Sequence, residues 1–88
     1  MNEDEMAAVN ISRSAFESTA NCLADMKRQI KVCRDLNAKA EHECKEFRYA
    51  RMTGQCQGTL DSLMTGIEVM EEIVRGGISA ATYLTGDE

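Results

Sequence analysis

An all-α, antiparallel two-helix hairpin is what this sequence predicts, and three observations predict it. The 88 residues contain no proline, and the first glycine is Gly54. Strong helix formers dominate on both sides of that glycine. Apolar residues recur at alternating spacings of three and four on both sides, the packing pattern of helices that run nearly parallel or antiparallel to one another.

The elements follow in order. Residues 1–11 carry three acids and no base and read as a flexible acidic N-terminus. The first helix is expected over 12–52, roughly 60 Å at 1.5 Å per residue. Ser14 and Glu17 form a capping-box pattern at its start, with Ser12 as an alternative cap. Asp35/Lys39 and Glu41/Lys45 place the acid four residues before the base, the favourable order on a helix face. Gly54 and Gly58 mark a break, with the turn at 53–55. The second helix is expected over 56–84, weakened at Gly76-Gly77. Its Glu71/Arg75 pair has the same favourable order. Residues 85–88 read as a disordered tail.

Both helices carry an apolar seam. In the first, one row is Phe16, Leu23, Ile30, Asn37 and Cys44, and the other is Thr19, Met26, Cys33, Ala40 and Phe47. In the second, the rows are Leu60, Ile67, Val74, Ala81 and Leu63, Met70, Gly77, Leu84. Pairing Phe47 with Leu60, Cys44 with Leu63, Ala40 with Ile67 and Cys33 with Val74 puts the fold point between Thr53 and Gly54. Asn37 on the seam either fixes register, a known use of such a residue, or marks a place where a helix departs from its partner. Further apolar residues lie off the seam, among them Cys22 and Val32. A stripe this wide belongs to a helix with more than one neighbour. The expected consequence is a four-helix bundle with a second hairpin, a homodimer or a heterodimer, with Leu36, Met64, Val69 and Ile73 at the interface.

Composition narrows the function. The net charge is −5, which argues against a nucleic-acid partner, since that requires a net basic footprint. Residues 12–51 carry nine bases against six acids, whereas residues 52–88 carry Arg75 against six acids. No stretch approaches the ~20 apolar residues of a membrane span. The opening, Met1 to Met6, is acidic and lacks the layout of a secretory signal peptide. Aromatic residues make up 5% of the chain, so the core is thin and a partner would help stabilise it.

Candidate chemistry is sparse. Cys22, Cys33 and Cys44 are spaced by eleven, which is close to three helical turns and places them on one face. Each step is also roughly 16 Å along the axis, too far for a disulfide, whose Cα atoms lie within ~7 Å. Cys56 is distant in the expected register, and no Cys-x-x-Cys spacing suggests zinc. The four thiols therefore read as reduced, partly buried small hydrophobes. His42 and Glu46 are four apart, but a lone pair on a charged face reads as solvated surface. No nucleophile–base set, paired-carboxylate cleft or phosphate loop appears. The expectation is a protein that is not an enzyme and uses no cofactor or metal.

The layout of two long helices with one mid-chain break and no signal peptide resembles the Trp-x-Gly family, the small substrates and partner proteins of the type VII secretion system. Met52-Thr53-Gly54 stands where that family has its Trp-x-Gly turn, with methionine in place of tryptophan as in a divergent branch. Tyr83-Leu84-Thr85-Gly86-Asp87 is similar to the family's Tyr-x-x-x-Asp/Glu export signal, with Tyr83 and Asp87 as its two residues. The opening Val9-Asn10-Ile11-Ser12, leading to Phe16 and Ala20, is also similar. The resemblance implies a dimeric bundle and export by a signal-peptide-independent route from the cytoplasm. It also implies pairing with another hairpin or with the helical N-terminal domain of a larger secreted toxin. The competing expectation is a cytosolic helical adaptor or co-chaperone of another secretion or regulatory complex. A metal or redox sensor built on the cysteines ranks behind both.

Overall fold

The computed structural model describes residues 1–86. It contains two helices, α1 (Glu3–Glu43) and α2 (Phe47–Thr85), which pack against each other as an all-α hairpin. Two compact units make up the chain: a terminal unit, Met1–Ala24 with Val69–Glu88, and a turn unit, Asp25–Glu68.

α1 begins nine residues earlier than the Ser12 start. Asn2 is its cap, and its Oδ1 accepts a hydrogen bond from the Glu5 N–H at 2.8 Å. Glu3, Asp4 and Glu5 fill the first turn, where carboxylates complement the positive end of the helix dipole. The acidic start is therefore helix and not a flexible arm. Ser14 and Glu17 lie inside it.

The hairpin folds at residues 44–46, not at 53–55. Glu46 opens α2: its Oε2 accepts from the Tyr49 N–H at 2.9 Å, and its carbonyl accepts from the Ala50 N–H at 2.8 Å. Gly54 and Gly58 sit within α2, and a Cβ at either would meet nothing within 4 Å. Glycine lowers helix propensity by about 1 kcal/mol, a local cost that burial of one helix against the other overrides. Gly76-Gly77 likewise does not end the helix, which continues to Thr85. Gly86 follows with φ of 73°, the left-handed conformation that closes many helices. Of the expected tail 85–88, Thr85 is thus helical, and Asp87 and Glu88 lie outside the described residues.

Moving the fold shifts α2 by almost two heptads along α1. In the terminal unit, Arg13 Nη1 donates to Thr85 Oγ1 at 3.4 Å, and Phe16 lies over Gly77. In the turn unit, Arg34 Nε meets Asp61 Oδ1 at 3.0 Å. There Asn37 Nδ2 donates to the Thr53 carbonyl and to Gln57 Oε1, both at 2.9 Å. Within each unit the partners run in opposite order along the two helices, so each is antiparallel. The Ala40/Ile67 and Cys44/Leu63 pairings do not form part of this register.

Burial shows which rows close the hairpin. Leu23 and Ile30 are buried on α1, and Met64, Ile67, Val74 and Ala81 on α2. One expected row on each helix, Phe16–Leu23–Ile30–Asn37 and Leu60–Ile67–Val74–Ala81, therefore faces inward. The other inner row differs from expectation. On α1 it is Arg13, Ala20, Lys27, Arg34 and Glu41, all half-buried; apart from Ala20 these are long side chains whose methylene stems can cover apolar surface while their charged ends reach water. On α2 it runs through Ala50, Gln57, Met64, Glu71, Ile78 and Thr85. The rows expected to share the seam, Thr19–Met26–Cys33 and Leu63–Met70–Leu84, are exposed.

Candidate docking face

The exposed rows are the unusual feature of this chain. On α1, the terminal unit carries Ala8, Ser12, Ala15, Thr19 and Cys22, and the turn unit continues the same spacing with Met26, Gln29, Cys33, Leu36 and Ala40. On α2, the turn unit carries Met52, Cys56, Thr59, Leu63 and Gly66, and the terminal unit carries Met70, Ile73, Gly77, Ala80 and Leu84. None of these residues is charged, and all are exposed except the half-buried Ala40 and Gly77. Beyond Arg51, every charge described on α2 (Asp61, Glu68, Glu71, Glu72 and Arg75) lies on other rows.

Both uncharged stripes flank the buried row on the side away from the mixed polar row. Within each unit, where the two helices are antiparallel, this offset puts the α1 and α2 stretches of the stripes on the same side. The terminal unit shows the result directly. An open depression of about 330 Å³ is lined from α1 by Ala8, Val9, Ser12 and Phe16, and from α2 by Gly77, Ala80, Ala81 and Leu84. Gly77 is needed there, since a Cβ at that position would stand 2.8 Å from Phe16 Cε2. In the turn unit, a shallow recess of about 360 Å³ on α1 borders the stripe, lined by Arg28, Gln29, Val32 and Cys33.

Three of the four expected interface residues are available on the surface. Leu36 is 63% exposed, Ile73 is 69% exposed and Val69 is 54% exposed. Met64 is not available: it is 7% exposed because it belongs to the inner row of α2. Leu36 and Ile73 lie on the uncharged stripes, and Val69 lies just outside one. The cysteines are also corrected. Cys22, Cys33 and Cys56 are exposed free thiols and only Cys44, at the fold, is half-buried. The three exposed thiols all fall on the uncharged stripes.

The motif residues have separate positions. Met52, Thr53 and Gly54 make no turn. Thr53 is buried in the turn unit, and its hydroxyl donates to the Tyr49 and Ala50 carbonyls. Met52 points outward. Tyr83 is exposed near the C-terminal end of α2, and Asp87 lies outside the described residues. Among the described residues no group of three or more His, Cys, Asp or Glu is placed to hold a metal, and no helix is long and apolar enough to cross a membrane. His42 lies in the last turn of α1 while Glu46 caps α2, so the two do not share a helix face.

Two features outside the expected boundaries have their own sequence signals. Asn2 with Glu5 is a capping pattern as good as Ser14 with Glu17. Phe47, Arg48 and Arg51 gather an aromatic ring and two guanidinium groups at the start of α2, in a region expected to end the first helix. Comparison with family models, curated proteins and solved structures finds no match to this chain.

Proposed function

We propose that this chain is a pairing module that acts through protein–protein assembly and not catalysis. Its uncharged face receives a second helical hairpin and closes a four-helix bundle. One observation carries the reading: uncharged residues at heptad spacing remain exposed on both helices after the hairpin has closed its own seam. Covering such rows with a second pair of helices buries apolar area at about 25 cal/mol per Å². Within this reading, the resemblance around Tyr83 supports a role in type VII secretion, as an exported substrate or as the targeting partner of a larger protein. Tyr83 would present its ring to the export machinery.

A second reading is favoured by the position of Met52-Thr53-Gly54 inside α2. A helical adaptor or co-chaperone retained in the cytoplasm needs the same docking face and no turn motif. One experiment addresses both levels. The chain and its Ile73→Asp variant are compared by sedimentation, and export of the chain and its Tyr83→Ala variant is followed in the native host. Assembly lost in Ile73→Asp with helicity intact supports the pairing module. Export of the wild type lost in Tyr83→Ala supports the secretion role. Retention of both inside the cell supports the adaptor. A compact monomer at high concentration counts against self-pairing.

A further inference from the structure

We propose that the outer side of the first turns of α2 is a second docking surface, made for an acidic peptide segment that carries an apolar side chain. The surface lies in the turn unit. Phe47, Arg48, Arg51, Met52 and Gln55 line an open depression of about 470 Å³. Phe47 is 79% exposed, the highest of the large apolar side chains among the described residues, and Met52 is 67% exposed. The inward residues of the same turns are Ala50, Thr53 and Gln57, so the depression faces away from α1. Phe47, Arg48 and Arg51 lie off the uncharged stripes, and they stay open when that face is covered.

The charges here are arranged against local preference. Arg48 and Arg51 are three residues apart, neighbours on a helix surface, where like charges repel. Neither has a carboxylate three or four residues away on either side. Arg48 also sits in the first turn of α2, which holds no acid, where the helix dipole disfavours a cation. Elsewhere the chain pairs its arginines, Arg28 with Asp25 and Arg34 with Asp61. The nearby Glu46 carboxylate is engaged by the Tyr49 N–H. Carboxylates of a partner would answer both guanidiniums through charge-assisted hydrogen bonds, while an adjoining apolar side chain would cover Phe47, the one large apolar residue of this depression that lies off the uncharged stripes. A short peptide fits this chemistry better than a nucleic-acid or membrane surface. A continuous anionic surface would also meet the rest of a chain whose net charge is −5.

The test uses the full chain and a fluorescein-labelled peptide of Glu-Glu-Leu repeats, read by anisotropy. A Gln-Gln-Leu peptide, duplex DNA, and vesicles of phosphatidylserine with phosphatidylcholine serve as competitors. The acidic peptide should bind, and added salt should weaken it. Affinity should fall about tenfold or more in the R48E/R51E double variant and fall less in R48K/R51K, which keeps the charge but loses the guanidinium fork. An acid in the first turn of α2 suits the helix dipole, so the double variant keeps its helix, checked by circular dichroism. Binding should also survive Ile73→Asp, which separates this surface from the uncharged face. The proposal is overturned by absent binding, by equal binding of the glutamine peptide or of R48E/R51E, or by loss of binding in Ile73→Asp. Tighter binding of the vesicles or the DNA would overturn it as well.

Discussion

The two units of the hairpin close in different ways. In the terminal unit the helices meet through small and apolar groups: the Phe16 ring lies on Gly77, with Leu23, Val74 and Ala81 buried. In the turn unit Ile30, Met64 and Ile67 are buried as well, but polar groups span the helices, Asn37 to Thr53 and Gln57, and Arg34 to Asp61. Apolar rows favour burial yet tolerate slippage by a heptad, because every seventh residue is again apolar. A side-chain amide with two fixed acceptors does not tolerate it. The turn unit therefore specifies register, and the terminal unit holds the helix spacing that a missing Cβ permits.

Substitutions can break or sharpen this contrast. The largest effect is expected at Ile67, 2% exposed. Ile67→Ala should cost about 2–4 kcal/mol, read as a lower urea midpoint of the helical signal. Next is Asn37→Ala, which removes two interhelical hydrogen bonds and leaves Gln57 without this partner. It should cost about 1–2 kcal/mol and broaden the distance between spin labels placed across the turn unit. Asn37→Ala that leaves both stability and label distances unchanged would remove register control from this residue. The smallest effects concern adjacent glycines. Gly76 faces open space, so Gly76→Ala should stabilise by about 0.5–1 kcal/mol. Gly77→Ala gains the same propensity but must displace the Phe16 ring, and should show no net gain. Equal stabilisation by the two alanines in thermal melts would dissolve the close approach claimed for the terminal unit.

The hairpin class was legible because helix formers and heptad spacing agree along most of the chain. One row of each seam, Leu23–Ile30 and Ile67–Val74, was legible for the same reason. The fold point was not. Gly54 drew the break to itself on propensity, while the real break at 44–46 contains neither glycine nor proline and is marked only by Glu46 as a cap. With the fold displaced, the second row of each seam was misassigned, because Arg13, Lys27 and Arg34 look like surface residues until their stems are seen to lie along the inner flank. That error concealed the candidate site in part. Leu36 and Ile73 were recognised as outward, but Met26, Cys33, Leu63 and Met70 were placed in the seam, and Met64 was placed on the surface. The pairing rows and the seam rows have the same composition, so only the register tells them apart.

The uncharged face carries its own reporters. Cys22, Cys33 and Cys56 lie on it, and Cys44 lies at the fold. The most direct test of pairing is the rate of maleimide labelling at each thiol, measured by mass spectrometry across protein concentration. If two hairpins close over this face, Cys22, Cys33 and Cys56 should label more slowly as concentration rises, Cys44 should change little, and Ile73→Asp should restore the fast rates. Rates at the three thiols that do not depend on concentration, in a chain that remains fully helical, would contradict pairing between copies through this face.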